Sequence, residues 1–321
     1  MSAQFFEYFQ VPAAAREVIG GIVTAPEILL VEAVAAPSGP PPRFTAAEAR
    51  AALRAATGDG WTVAEADALL RSAYQRGVLE LEDETYQCFR VGSFYTRLDI
   101  FAITESQAFL GLPPETRAAL DAWYFTTYLN RLAPDAAAPT ADKVVPLAEA
   151  IAYLDSFPGA IWLNRCDCRI LAGHCDRPTD VCLSFRSGIN TFSHRGWSTP
   201  LTRSQARTVL ERADRAGLMH TVNPGGICNC CGDCCYLFRA QRARNSNPAW
   251  PAAPLLAAFR PESCVGCGGC ISRCPFGAFT RRGEGIAYHS GHCRGCGLCG
   301  ATCPTGAIEI VKRGNDDGDG S

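Results

Sequence analysis

The chain has 321 residues, 47% of them hydrophobic and 19% charged, an ordinary globular balance with length enough for two or three domains. Its formal net charge of -2 gives no whole-molecule attraction to nucleic acid or to an anionic membrane, so any charge argument must be local. The opening MSAQFFEYFQ carries Glu7 and no basic residue before Arg16, unlike a secretory signal, and the best apolar run, 18–36, is broken by Pro26, Glu27 and Glu32. The expectation is a cytoplasmic protein with no membrane span. Of its 18 cysteines, 17 lie between residues 166 and 303, a density that in a reducing compartment means metal or redox chemistry rather than a disulfide frame. Cys88, alone in the strand-like TYQCFRV, reads as ordinary core.

In chain order, Thr45-Ala-Ala-Glu48 and Thr62-Val-Ala-Glu65 have capping-box form and each predicts a helix. The second helix runs towards Gly77, and the alternating, β-branched and aromatic VLELEDETYQCFRV after it predicts a hairpin. Helix, helix, hairpin is the order of a winged helix, and the stretch resembles that fold. From Thr45 to Arg97 the arginines 50, 54, 71, 76, 90 and 97 face the acids 48, 59, 65, 67, 80, 82, 83 and 84. A duplex binder must offset phosphates with basic side chains, and this wing is acidic, so the expectation is a docking or structural module with no nucleic acid bound.

Pro113, Pro114, Pro134 and Pro139 mark a helix punctuated by turns and then a linker near 133–142. Beyond it, the capping box Thr202-Arg-Ser-Gln205 opens another helix, followed by Gly217 and a strand, repeating the pattern of residues 62 to 82. The Pro-rich NSNPAWPAAP, 245–254, reads as a second linker, and GNDDGDGS as a disordered tail. The expected class is therefore α+β: a winged-helix-like domain over 1–142, a Cys-rich metal-binding domain over 143–246, a paired-cluster module over 247–313 and a tail over 314–321.

CVGCGGCISRCPFGAF and CRGCGLCGATCPTGAI are an internal repeat of the form C-x2-C-x2-C-x3-C-P. Three thiolates on one short loop can bind three irons of one cube, and the glycines between them let the backbone approach the sulfurs. The repeat resembles the bacterial two-cluster ferredoxin, a βαββαβ-type module, in which the fourth cysteine of each run serves the other cluster. That resemblance implies two 4Fe-4S clusters, one on Cys264, Cys267, Cys270 and Cys303, the other on Cys293, Cys296, Cys299 and Cys274. Structural zinc usually takes paired cysteines four at a time, a use that the doubled pattern does not serve.

Nine cysteines remain in two groups: Cys166, Cys168, Cys175 and Cys182, and then Cys228, Cys230, Cys231, Cys234 and Cys235. One or two further 4Fe-4S clusters, a structural zinc ion and disulfides are all open to them. The reducing compartment argues against disulfides, and the need of a ferredoxin module for near electron partners favours clusters. Adjacent cysteines such as 230–231 and 234–235 point apart when extended, so one loop could feed two centres. The joining of such blocks to a terminal ferredoxin is similar to a Cys-rich iron–sulfur family of bacteria and archaea, which implies metal binding and no particular reaction. Cys230-Cys231-Gly232 is also similar to an element of disulfide-reductase subunits, but stands once, without the repeated motif. Seven arginines between 165 and 207 face three aspartates, which reads either as compensation of cluster charge or as solvated surface. His174 and His292 each precede a cysteine and could donate a hydrogen bond to a cluster or simply face solvent.

The chain has no phosphate-binding glycine loop, dinucleotide fingerprint, nucleophile elbow or H-E-x-x-H helix. The leading expectation is an electron-transfer protein that exchanges electrons with a protein redox partner. The alternatives are a reductase component whose Cys-rich block is the catalytic centre, and an iron–sulfur redox sensor.

Overall fold

The structure is a computed structural model that describes residues 2–35, 43–58, 60–134 and 136–314. The expected tail lies, Gly314 apart, outside the described residues. The chain is 43% helix and 17% strand, and every named strand pairing is antiparallel, which is α+β. It forms two compact units: residues 1–127 with 170–172 and 187–198, and residues 128–169 with 173–186 and 199–321.

In the first unit, Thr24, Thr45 and Thr62 each close a capping box with the glutamate three residues on, starting the helices Ala25–Val34, Ala46–Thr57 and Val63–Gln75. The last turns through Gly77, at φ +78°, into the hairpin of Leu79–Leu81 and Cys88–Val91. Strand Arg43–Thr45 pairs on the far side of Cys88–Val91, giving a three-stranded sheet whose outer members are the first and second strands in sequence. Cys88 is half-buried rather than core, because it opens the central strand opposite the exposed Thr45. Two arginines are fully buried here. Arg97 donates to the Ile22 carbonyl at 2.6 and 2.8 Å and to Glu105 at 2.7 Å. Arg195, on segment 187–198, lies 4.4 Å over the Tyr74 ring and donates to the carbonyls of Tyr74 and Leu79.

The second unit is built on a six-stranded sheet in the order Lys143–Val145, Met219–Asn223, Gly226–Cys230, Cys182–Ser184, Ile161–Asn164, Thr199–Leu201. Helices Leu147–Ser156 and Arg203–Arg215 pack against it and each other. Strand alternation sorts the two faces. His220 and its register partner Asn229 are bonded at 2.6 Å and face Asp214 of the helix, 3.7 Å from His220. Cys228 and Cys230, paired with Thr221 and Met219, therefore lie on the face away from that helix.

The C-terminal part of this unit pairs Leu255–Phe259 with Ile308–Lys312 and encloses the hairpin Phe279–Arg282 with Gly285–Tyr288. One short helix, Gly269–Arg273, lies within the first cysteine run and carries Cys270, whereas the equivalent residues 298–302 of the second form turns. Its apolar core is small, with Leu256, Ala257, Ala278, Phe279 and Ile308 packed against Cys270, Cys293 and Cys299. Segment 245–254 is packed in place rather than acting as a loose linker. Its Trp250 is fully buried and donates to Thr140 at 2.6 Å, a burial that an indole gains only by docking.

Candidate metal centres

The repeat's eight cysteines fall around two small cavities. Cys264, Cys267, Cys270 and Cys303 line one, with Phe259, Ile286 and Ile308; Cys274, Cys293, Cys296 and Cys299 line the other, with Phe276, Phe279 and Leu298. In each run the first three cysteines stay together and the fourth lies across the module. Backbone amides turn towards the sulfurs: Gly266 N–H donates to Cys264, Gly295 and Ala257 to Cys293, and Ala278 to Cys274, each at 3.4 Å. Gly266 and Gly295 hold φ of +68° and +66°, and at Gly295 a Cβ would meet the Leu255 carbonyl oxygen at 2.2 Å, so that loop can approach the strand only without a side chain. Burial raises the Cys296 thiol to about 12 and the Cys299 thiol further. Two four-thiol pockets with apolar walls and amides aimed at the sulfurs fit the iron–sulfur group that such spacing calls for.

The nine other cysteines separate into six and three. Six thiols lie as neighbours that perturb one another, in the order Cys166, Cys168, Cys235, Cys230, Cys228, Cys182 and back to Cys166, a ring of sulfurs. Local structure explains each place. Cys166 and Cys235 are N-cap residues of the helices Asp167–Ala172 and Tyr236–Arg244. Cys228 and Cys230 are two apart on one strand, and the register Leu183↔Ile227 sets Cys182 beside Cys228. Hydrogen bonds from Cys182 and Cys230 bring the Cys228 thiol down to about 6, and those from Cys168 and Cys230 bring Cys235 well below its ordinary value. Thr221 Oγ1 donates to Cys230 at 3.7 Å.

The remaining three, Cys175, Cys231 and Cys234, bring their sulfurs within 4.8 Å of one another. Cys234 and Cys175 are 3.7 Å apart. The Cys231 sulfur accepts the Cys234 N–H at 3.3 Å, and the hydrogen bond from the Cys234 thiol is the main reason its own thiol falls to about 5. Cys230 and Cys231 thus serve different groups, as do Cys234 and Cys235, because neighbouring side chains diverge.

Arg169 lies among both groups. Its side chain is 2% exposed, and burial opposes its charge, but the sulfurs of Cys166, Cys231, Cys182 and Cys230 more than offset that and hold it cationic. It donates to the carbonyls of Pro178 and, at 2.7 Å, Asn229. In the sequence it is one of seven arginines; the signal that singles it out is its place one residue after Cys168 on a short helix. Several other arginines cap carbonyls instead: Arg177 on Ala216 and Gly217, Arg203 on Leu154 and Phe157, Arg242 on Gly232, Arg273 on Asp214 and Arg215. The His292 ring meets the Gly277 carbonyl at 3.3 Å rather than a sulfur, and His174 is exposed and offers Cys234 its backbone N–H.

The Cys-rich block and the module pack together. At Gly232 a Cβ would lie 2.8 Å from Pro275, next after Cys274; Phe238 and Phe276 have ring centroids 5.2 Å apart; and Arg294 donates to Gln241 at 2.8 Å while covering Phe276 at 4.6 Å.

A family of 4Fe-4S dicluster domains matches residues 257–304. Comparison with curated proteins and with solved structures gives no match. The chain carries an iron–sulfur domain of dicluster type over that stretch, and no described helix is long and apolar enough to cross a membrane.

Proposed function

We propose that the chain is a multi-centre electron-transfer protein. Two 4Fe-4S clusters sit in the module, on Cys264, Cys267, Cys270 and Cys303 and on Cys293, Cys296, Cys299 and Cys274, and further metal is held by the nine cysteines between 166 and 235. When bound, such groups pass single electrons at potentials set by burial and by hydrogen bonds to sulfur. The chain's own part is to exclude water, fix the thiolates and offer amides and Arg169 to their charge. The observation that carries this reading is the packing of Gly232, between Cys231 and Cys234, on Pro275, beside Cys274: a sulfur-rich loop of the block touches a ligand loop of the second cluster. The compartment is cytoplasmic and the partner a redox protein.

The order of helices and strands in the first unit, with its 1-3-2 sheet, supports a winged-helix-like module. Arg50 pairs with Asp67, Arg76 with Glu27 and Glu105, and Arg90 with Glu80 and Glu82, which leaves little cation for phosphate and favours protein docking. One observation favours a second reading, a redox sensor: the segments 170–172, just after Cys168, and 187–198, just after Cys182, belong to the first unit. Iron and acid-labile sulfide counted on anaerobically purified protein test the main proposal. The module alone accounts for about eight irons; a fully loaded chain holding more supports the reading, and one whose block holds no metal overturns it.

A further inference from the structure

The two sulfur groups of the Cys-rich block differ in shape, and the difference selects their metals. A tetrahedral zinc with bonds of about 2.3 Å places its sulfurs about 3.8 Å apart. The 3.7 Å between Cys175 and Cys234, with all three sulfurs of that group within 4.8 Å, matches a single ion. In a 4Fe-4S cube each thiolate binds a different iron, so the ligand sulfurs stand wider. Among the described residues no three sulfurs of the ring come that close together, nor any three of the module's eight. The six sulfurs are spread over a wider group, whereas the triad converges on a point.

No fourth His, Cys, Asp or Glu atom lies within 4.8 Å of all three triad sulfurs, among the described residues. Closed zinc sites are structural, and a zinc with three protein ligands keeps a position for water or substrate. Cys175 is half-buried, and His174, Asp176 and Asp233 beside the triad are exposed, so the position lies within reach of solvent. Three thiolates leave a zinc ion with one net negative charge, and the buried Arg169 guanidinium, whose charge the Cys231 sulfur favours, offsets it. A neutral fourth ligand then balances the site.

We infer that Cys175, Cys231 and Cys234 form a one-zinc site, separate from the polynuclear centre enclosed by Cys166, Cys168, Cys182, Cys228, Cys230 and Cys235, and that its fourth position holds an exchangeable water which a small thiol displaces. The inference deepens the proposed function and rests on its reading of the block as metal-binding. The site binds a thiol by ligand exchange alone: the water leaves, the thiol loses its proton to solvent, and no electron moves.

The test is zinc-edge X-ray absorption on the full chain purified anaerobically without thiols, since that edge is blind to iron. The expected first shell is three sulfurs at about 2.3 Å and one oxygen or nitrogen at about 2.0 Å, becoming four sulfurs when 2-mercaptoethanol is added. Four sulfurs at the outset, or zinc far below one per chain, overturns the inference. Metal analysis of variants separates it from the broader proposal: Cys234→Ser should lose zinc and keep its iron, and Cys182→Ser should keep zinc and lose only the iron in excess of the module's about eight. Iron loss from Cys234→Ser in a zinc-free protein sinks the zinc site but leaves the electron-transfer reading standing, whereas a block without any metal ends both.

Discussion

Replacing Gly232 by alanine adds one methyl group where the Cys-rich block meets the module. Its Cβ would stand 2.8 Å from the Pro275 Cβ and 2.9 Å from the Pro275 carbonyl oxygen. Two carbons settle at about 3.5 Å or more, so the loops must part by roughly 0.7 Å. They are not free to do so. Arg242 holds the Gly232 carbonyl at 2.7 Å, Arg294 bonds Gln241, and Phe238 lies against Phe276. Gly232 does not adopt a left-handed φ, so the effect is steric alone. Overpacking of this kind costs about 1–3 kcal/mol, and the opening should also slow electron exchange between block and module. Urea unfolding, followed by circular dichroism and by cluster absorbance under anaerobic conditions, measures the first. Gly291→Ala, which meets nothing within 4 Å, is the control and should change little. A Gly232→Ala protein as stable as that control, to within about 0.5 kcal/mol, would refute the contact on which the proposed electron path depends.

Arg169→Met should strip the Pro178 and Asn229 carbonyls of their donor, at about 1–3 kcal/mol each. By removing a buried cation it should also lower the block centre's potential, read by a redox titration with electron paramagnetic detection; an unmoved potential would show that Arg169 serves only the carbonyls. Cys274→Ser should perturb the cluster that shares Cys293, Cys296 and Cys299 and spare the one on Cys264, Cys267 and Cys270, as resolved by the two sets of paramagnetic signals. Trp250→Ala should destabilise the second unit by about 3–5 kcal/mol, measured by calorimetry, where a free linker would show no loss. Anisotropy titrations with duplex DNA at rising salt should detect no salt-sensitive binding in any redox state, given the pairing of Arg50, Arg76 and Arg90 with acids.

What could be read in the sequence was whatever local spacing encodes. The boxes at Thr45, Thr62 and Thr202 form as their i, i+3 pattern requires, because both partners lie in one turn. The hairpin after Gly77 follows for the same reason. The dicluster family match at 257–304 agrees with a repeat whose sulfurs are close in sequence. The division of nine cysteines into six and three was not legible as a set, since it joins residues some 60 positions apart through strand pairing. Composition misled once and left one question open. The Pro-rich run at 245–254 looks like a linker until Trp250 finds Thr140, and the arginine-rich stretch, open to two readings, holds Arg177 and Arg203 on carbonyls and Arg207 on Asp155. In both, a partner distant in the chain decides the outcome, and no local pattern carries it.

The sorting of the sulfurs depends on one short stretch more than on any other. Strand Gly226–Cys230 places Cys228 and Cys230 on the same face, and alternation forces Cys231 off it. The turn to Cys234 returns the chain so that Cys235, at a helix N-cap, rejoins Cys230 while Cys234 stays with Cys231. Moving the turn by a single residue would exchange the partners of both pairs, and within it Gly232 lies against Pro275, where a Cβ would clash. The packing that joins block to module and the alternation that separates ring from triad therefore constrain the same five residues, Cys231 to Cys235. A change there should alter metal content and electron exchange together, while a change in Cys182, remote from Pro275 in the chain and part of the ring alone, should alter metal content first.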